Sequence, residues 1–107
     1  MKTISTLLLT AAIASISLPV NAYGIYGIGN KPCSLWTSER ANTVMDNENI
    51  NWILGFVTAS ARAGNRVYNL NAGQMINWID KYCTLNPEWF VYDSAGALVG
   101  EMEKQLE

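Results

Sequence analysis

The strongest periodicity in the chain runs from Asp46 to Asn65, DNENINWILGFVTASARAGN. Ile50, Ile53, Leu54, Val57 and Ala61 fall on one face of an α-helix, and Trp52 and Phe56 widen that face. Asn47 is a suitable N-cap, Glu48 places negative charge in the first turn, and Gly64-Asn65 supplies a stop. The pattern predicts a helix over about 48–63. A second face follows in AGQMINWIDKYCTL, where Met75, Ile76, Ile79, Tyr82 and Cys83 lie together. Asn71 with Gln74 three residues on forms the asparagine version of a capping box. This helix should end near Leu85, because the residue before Pro87 resists the α conformation. Asn86, Pro87 and Glu88 read as the start of a third helix, with Val91, Ala95, Leu98, Val99, Met102 and Leu106 at helical spacing. Gly96 and Gly100 weaken its middle by roughly 1 kcal/mol each against alanine, and its opening WFVY also fits an extended segment. SLWTSERANTVM (34–45) predicts a short helix capped by Ser34 or Thr37, with Leu35, Trp36 and Val44 as apolar contacts. The fold class expected is all-α: a small bundle of three main helices plus a short N-terminal helix.

Ahead of these elements the pattern changes character. Lys2 gives a positive start, LLLTAAIASISL (7–18) is an apolar run, Pro19 breaks it, and VNA ends in small-x-small. This reads as a signal peptide, residues 1–22, cleaved after Ala22. The run is too short for a mature membrane span, which takes about 20 apolar residues. Residues 23–107 are then a single helical domain with an extended arm, 23–33, in the periplasm or outside a Gram-negative cell. The arm's Gly24, Gly27 and Gly29 read G-x-x-G-x-G, but no strand precedes them, so they predict an arm laid on the domain or a partner rather than a phosphate loop.

A domain this small is marginal without added support. The chain has two cysteines and no histidine. Cys33 lies well past the expected cleavage point, behind Asn30, Lys31 and Pro32, which is not a lipidation context. Two cysteines without histidine do not make a zinc site. An exported chain with two cysteines most simply pairs them, and a Cys33–Cys83 bridge would close a loop of about 51 residues, worth on the order of 4 kcal/mol.

Charge and side-chain inventory narrow the chemistry. Seven Lys and Arg, one of them Lys2 in the leader, stand against nine Asp and Glu, which argues against nucleic acid as a partner. The absence of histidine removes Ser-His-Asp and Cys-His catalysis and the usual general base near neutral pH. Carboxylate chemistry at Asp80 or Glu88 is the remaining enzymatic reading, a small hydrolase, and it is the least favoured. No catalytic residue, cofactor or metal is expected. The four tryptophans fit first as fillers of a core too small to be built from aliphatics alone. Aromatic and arginine side chains also dominate protein contacts. The contact candidates are Tyr23, Tyr26, Trp36, Arg62, Arg66 and Tyr68. Arg62 and Arg66 serve equally well to satisfy the last carbonyls of the long helix.

Three blocks carry a resemblance: Cys33–Trp36 (CSLW), Trp52–Phe56 (WILGF) and Trp78–Pro87 (WIDKYCTLNP). In layout they resemble the HdeA/HdeB acid-stress chaperones of the periplasm, small helical proteins with one disulfide that closes the N-terminal segment onto a later helix. More distantly, the LG-aromatic helix is similar to that of helical type VI secretion immunity proteins. The resemblance implies an exported protein-binding module, a homodimer that engages unfolded clients or a dedicated protein partner, with no membrane contact after leader removal. A stress chaperone and an immunity or inhibitor protein are the two branches it leaves open.

Overall fold

Four helices make up the regular structure of residues 24–107, the part of the chain that the computed structural model describes. The leader expected at 1–22 lies outside the described residues, as does Tyr23. Helix α1 spans Cys33–Glu39, with Pro32 as an extended N-cap that offers no side-chain acceptor. Its first N–H groups are satisfied from far along the chain: Cys33 N donates to Trp89 O at 2.7 Å, and Ser34 N to Pro87 O at 3.1 Å. Neither Ser34 nor Thr37 is therefore the cap, because main-chain carbonyls take over that role.

The expected single stretch 34–45 is split. Arg40 ends α1, and Asn42 starts α2, Thr43–Gly64, its side chain accepting from Met45 N at 3.1 Å. The long helix thus begins before the predicted 48. Asn47 sits exposed inside it, and Val44 points to solvent rather than into the core. Its end is as predicted. Asn65 adopts the left-handed conformation (φ 53°, ψ 51°) and its N–H returns to the last turn.

Helix α3, Ala72–Leu85, carries the full capping box between Asn71 and Gln74 and stops at the predicted residue. Helix α4, Val91–Gln105, starts later than the Asn86-Pro87 signal suggests. Residues 87–89 form a turn, and Phe90 pairs with Pro32 in an isolated antiparallel bridge. Val91 N donates to Lys31 O at 2.8 Å and Tyr92 N to Gly29 O at 3.1 Å. The backbone of 86–92 is thus spent on holding the arm and α1, and the extended alternative for WFVY holds through Phe90.

Cys33 and Cys83 form the disulfide, joining α1 to α3. Around it, Trp36, Ile53, Ile79, Val91, Ala95, Leu98 and Met102 are completely buried, so every helix contributes to one core. Each such aliphatic burial is worth about 1.5–3 kcal/mol. Trp52 and Trp78 pack half-buried at the core edge, paired at ring-centroid distances of 5.5 Å with Phe56 and 5.6 Å with Tyr82. The architecture is the expected one: all-α, three longer helices, a short first helix and one disulfide.

Candidate functional site

The glycine-rich arm folds around one indole. Trp52 Nε1 donates to Tyr26 O at 3.1 Å. Gly27 takes φ +87°, a conformation open to glycine, beside the same ring. Gly29 is buried so close to the indole that a Cβ there would overlap Cη2 and Cζ2. Two of the three glycines of the G-x-x-G-x-G run thus fit Trp52, while Gly24 lies beside the Tyr26 ring. Between this arm, α2 and α4 lies a cleft of about 360 Å³, lined by Ile25, Phe56, Tyr92, Asp93, Gly96 and Ala97. Phe56 is braced by Trp52, and Tyr92 by Phe90 at 5.3 Å between centroids. Asp93 Oδ2 accepts from Phe90 N at 3.0 Å, which fixes the carboxylate at the first turn of α4. Its charge also adds to the effect of burial in raising the Tyr82 phenol above its ordinary range.

Polar ties connect the helices elsewhere. Arg40, in the bend between α1 and α2, reaches both Asp46 (2.8 Å) and Asp80 (2.9 Å). Asp80 also accepts from the buried Trp36 Nε1 at 2.8 Å. Hydrogen bonds to Asp80, then to Asp46, push the guanidinium further into its charged form. Glu39 Oε1 accepts from Asn49 Nδ2 (2.9 Å) and Lys31 Nζ (2.8 Å), and Asn49 Oδ1 accepts in turn from Lys31 at 3.2 Å. Asn49 is fully buried, so this triad satisfies a polar group that would otherwise be costly in the interior. The bonds from Asn49 and then Lys31 hold the Glu39 carboxyl below its usual range. At the other end, Tyr68 donates to Glu103 Oε2 at 2.8 Å while Arg66 pairs with Glu103 Oε1 at 3.1 Å, tying the 65–71 connector to α4. Burial, then the bond to Glu103, raises the Tyr68 phenol.

The chain matches no protein-family model, no curated protein and no solved structure.

The contact residues expected from sequence do not gather in one place. Tyr26 is 83% exposed and adjoins Ile25 at the cleft. Trp36 is completely buried and is corrected from contact residue to core residue, its N–H consumed by Asp80. Arg62 lies exposed near the end of α2, while Arg66 and Tyr68 are engaged with Glu103. Cys33 and Cys83 are joined to each other. Asp80 has both oxygens occupied by Arg40 and Trp36, and Glu88 stands exposed on the 87–89 turn. The cleft residues Phe56, Tyr92, Asp93, Gly96 and Ala97 were not anticipated as a site. The one available signal was Gly96, a glycine in a helix where alanine would be more stable. Exposed apolar side chains at Leu35, Val44, Val67, Leu85 and Trp89 complete the surface. Among the described residues no helix is long and apolar enough to cross a membrane, and no group of three or more His, Cys, Asp or Glu is placed to hold a metal ion.

Proposed function

We propose that this chain is an exported, non-enzymatic protein-binding module of the HdeA-like stress-chaperone type, dimeric at rest and opened by acid. The observation that carries the reading is where most of the inter-element side-chain bonds end. Trp36 and Arg40 on Asp80, Arg40 on Asp46, Asn49 and Lys31 on Glu39, and Tyr68 and Arg66 on Glu103 all terminate on carboxylates. Each of these carboxylates also pairs with a cation, Arg40, Lys31 or Arg66, while the Cys33–Cys83 bond is indifferent to acid. For Glu39 the sign is explicit. Its carboxyl is lowered in the folded state, so its contribution is complete above the ordinary value of 4.5 and is lost as pH falls through the lowered one. Loosened helices would then offer apolar faces such as that of Leu98 and Met102 to unfolded clients.

The test is suppression of client aggregation by the oxidised protein at about pH 2.5 and about pH 7, with sedimentation at both. Protection in acid together with dimer dissociation is the expected result, and a protein that protects nothing at either pH is not a chaperone. The second reading, an immunity or inhibitor protein, draws on the preformed cleft between arm, α2 and α4, because a rigid site suits one dedicated partner. It predicts a single secreted toxin or enzyme bound with Kd on the order of 1 nM at neutral pH. Recovery of no such partner from competing bacteria removes that reading.

A further inference from the structure

We propose that the cleft between the arm, α2 and α4 receives one basic side chain, arginine or lysine, presented by a protein partner. The proposal rests on the protein-binding reading above and names the chemistry of what is bound.

Size comes first. At about 360 Å³ the cleft has room for one long side chain and lies at the low end of the range of small-molecule sites, roughly 300–1,000 Å³. Its lining then selects for charge. Ile25 and Ala97 provide apolar wall for an aliphatic stem, Phe56 and Tyr92 present aromatic rings, and Asp93 is the one charged residue among the described lining residues. Among the described residues, no Lys or Arg lies within ion-pair distance of Asp93. A carboxylate without a cation, set beside two aromatic rings, attracts positive charge through both the ion and the ring quadrupoles. Lysine and arginine also bury their stems along apolar surface while the head stays polar, which matches the division of this lining.

The site is held ready for such a guest. Each ring is braced by a second aromatic, Phe56 by Trp52 and Tyr92 by Phe90, and Trp52 is itself fixed by the Tyr26 carbonyl. Asp93 is oriented by the Phe90 N–H. Gly96 keeps the cleft open, since no atom lies within 4 Å of where its Cβ would stand. Tyr26, exposed beside Ile25, supplies a neighbouring aromatic for the residues that flank the guest.

The experiment is an amide-resolved NMR titration of the mature, oxidised protein with three probes: Ac-Leu-Arg-Leu-NH2, Ac-Leu-Glu-Leu-NH2 and free n-butylguanidinium. The arginine peptide should shift Phe56, Tyr92, Asp93, Gly96 and Ala97 saturably, with Kd on the order of 1 mM. Asp93→Asn keeps an oxygen for the Phe90 N–H but loses the charge, and should weaken binding about fivefold. Gly96→Leu fills the cleft from a position with open space above it, and should abolish binding without loss of fold. Equal binding of the glutamate peptide overturns the proposal, and so does arginine-peptide binding that survives Gly96→Leu. Free guanidinium binding as tightly as the peptide would show a small-cation site instead. Peptide-free, concentration-dependent broadening at the same residues, removed by Gly96→Leu, would show a second copy in the cleft. If the arginine peptide fails to bind while the wild-type protein still protects clients, this site falls and the protein-binding reading stands. Failure of client protection and of partner capture fells that reading itself.

Discussion

Replacing Asp80 by alanine separates a buried hydrogen bond from an exposed ion pair, because one carboxylate serves both. Trp36 Nε1 reaches Oδ1 at 2.8 Å from a completely buried side chain, so its N–H loses its acceptor when Asp80 is truncated. That loss costs about 1–3 kcal/mol. The Arg40–Asp80 pair is 34% and 33% exposed, and Arg40 keeps Asp46, so its share is about 0–1 kcal/mol. Asp80→Ala should therefore cost about 1–4 kcal/mol, or roughly 4–30 °C in Tm for a domain of this size. Asp80→Asn retains an acceptor oxygen and should cost less than about 1 kcal/mol, as should Asp46→Ala. Urea unfolding of the oxidised protein, followed by tryptophan fluorescence, measures all three. Trp36→Phe removes the donor, so Asp80→Ala must cost less in that background. Equal costs for Asp80→Ala and Asp46→Ala, or strict additivity with Trp36→Phe, would refute the role given to the indole.

Three further outcomes test other parts of the structure. Gly29→Ala drives a methyl into the Trp52 indole and should destabilise by about 1–3 kcal/mol, with a shift in tryptophan emission; an unchanged spectrum and midpoint would mean that the arm does not clasp that ring. Gly55→Ala and Gly100→Ala place a methyl in open space on helices, so each should stabilise by about 0.5–1 kcal/mol in thermal melts, and destabilisation would reveal an unseen contact. The stability gap between the wild type and Glu39→Gln should close as pH falls below 4.5, and a gap that stays constant in acid urea titrations would show that Glu39 is not tied to Asn49 and Lys31.

Much of the fold was legible because local chemistry decided it. Asn71 and Gln74 make a capping box whatever surrounds them, and Leu85 ends α3 ahead of Asn86-Pro87 as the backbone of that sequence requires. The disulfide followed from two cysteines and no competing ligands. The errors came where distant chain intervened. Asn42 and Asn47 are chemically equal caps, and the choice of Asn42 leaves Val44 exposed, so hydrophobicity gave no hint of it. Pro87 and Glu88 resemble a helix start, but the carbonyls of Pro87 and Trp89 are needed by α1, which delays α4 to Val91. Trp36 looked available as a contact because its partner, Asp80, is far away in sequence. The cleft was hidden for the same reason: Ile25, Phe56 and Tyr92 come from three separate segments, and no spacing relates them.

The placement of the sulfur bridge divides the molecule topologically. Residues 33–83 form a macrocycle that carries α1, α2 and most of α3, while α4 hangs outside it as a linear tail. The entropic restraint of the cross-link acts within the ring alone. Undocking of the tail therefore meets no covalent resistance, and it removes Val91, Ala95, Leu98 and Met102 from the shared core. In such a chain the cross-link shortens the search for native contacts within 33–83 and leaves the docking of α4 to non-covalent packing alone.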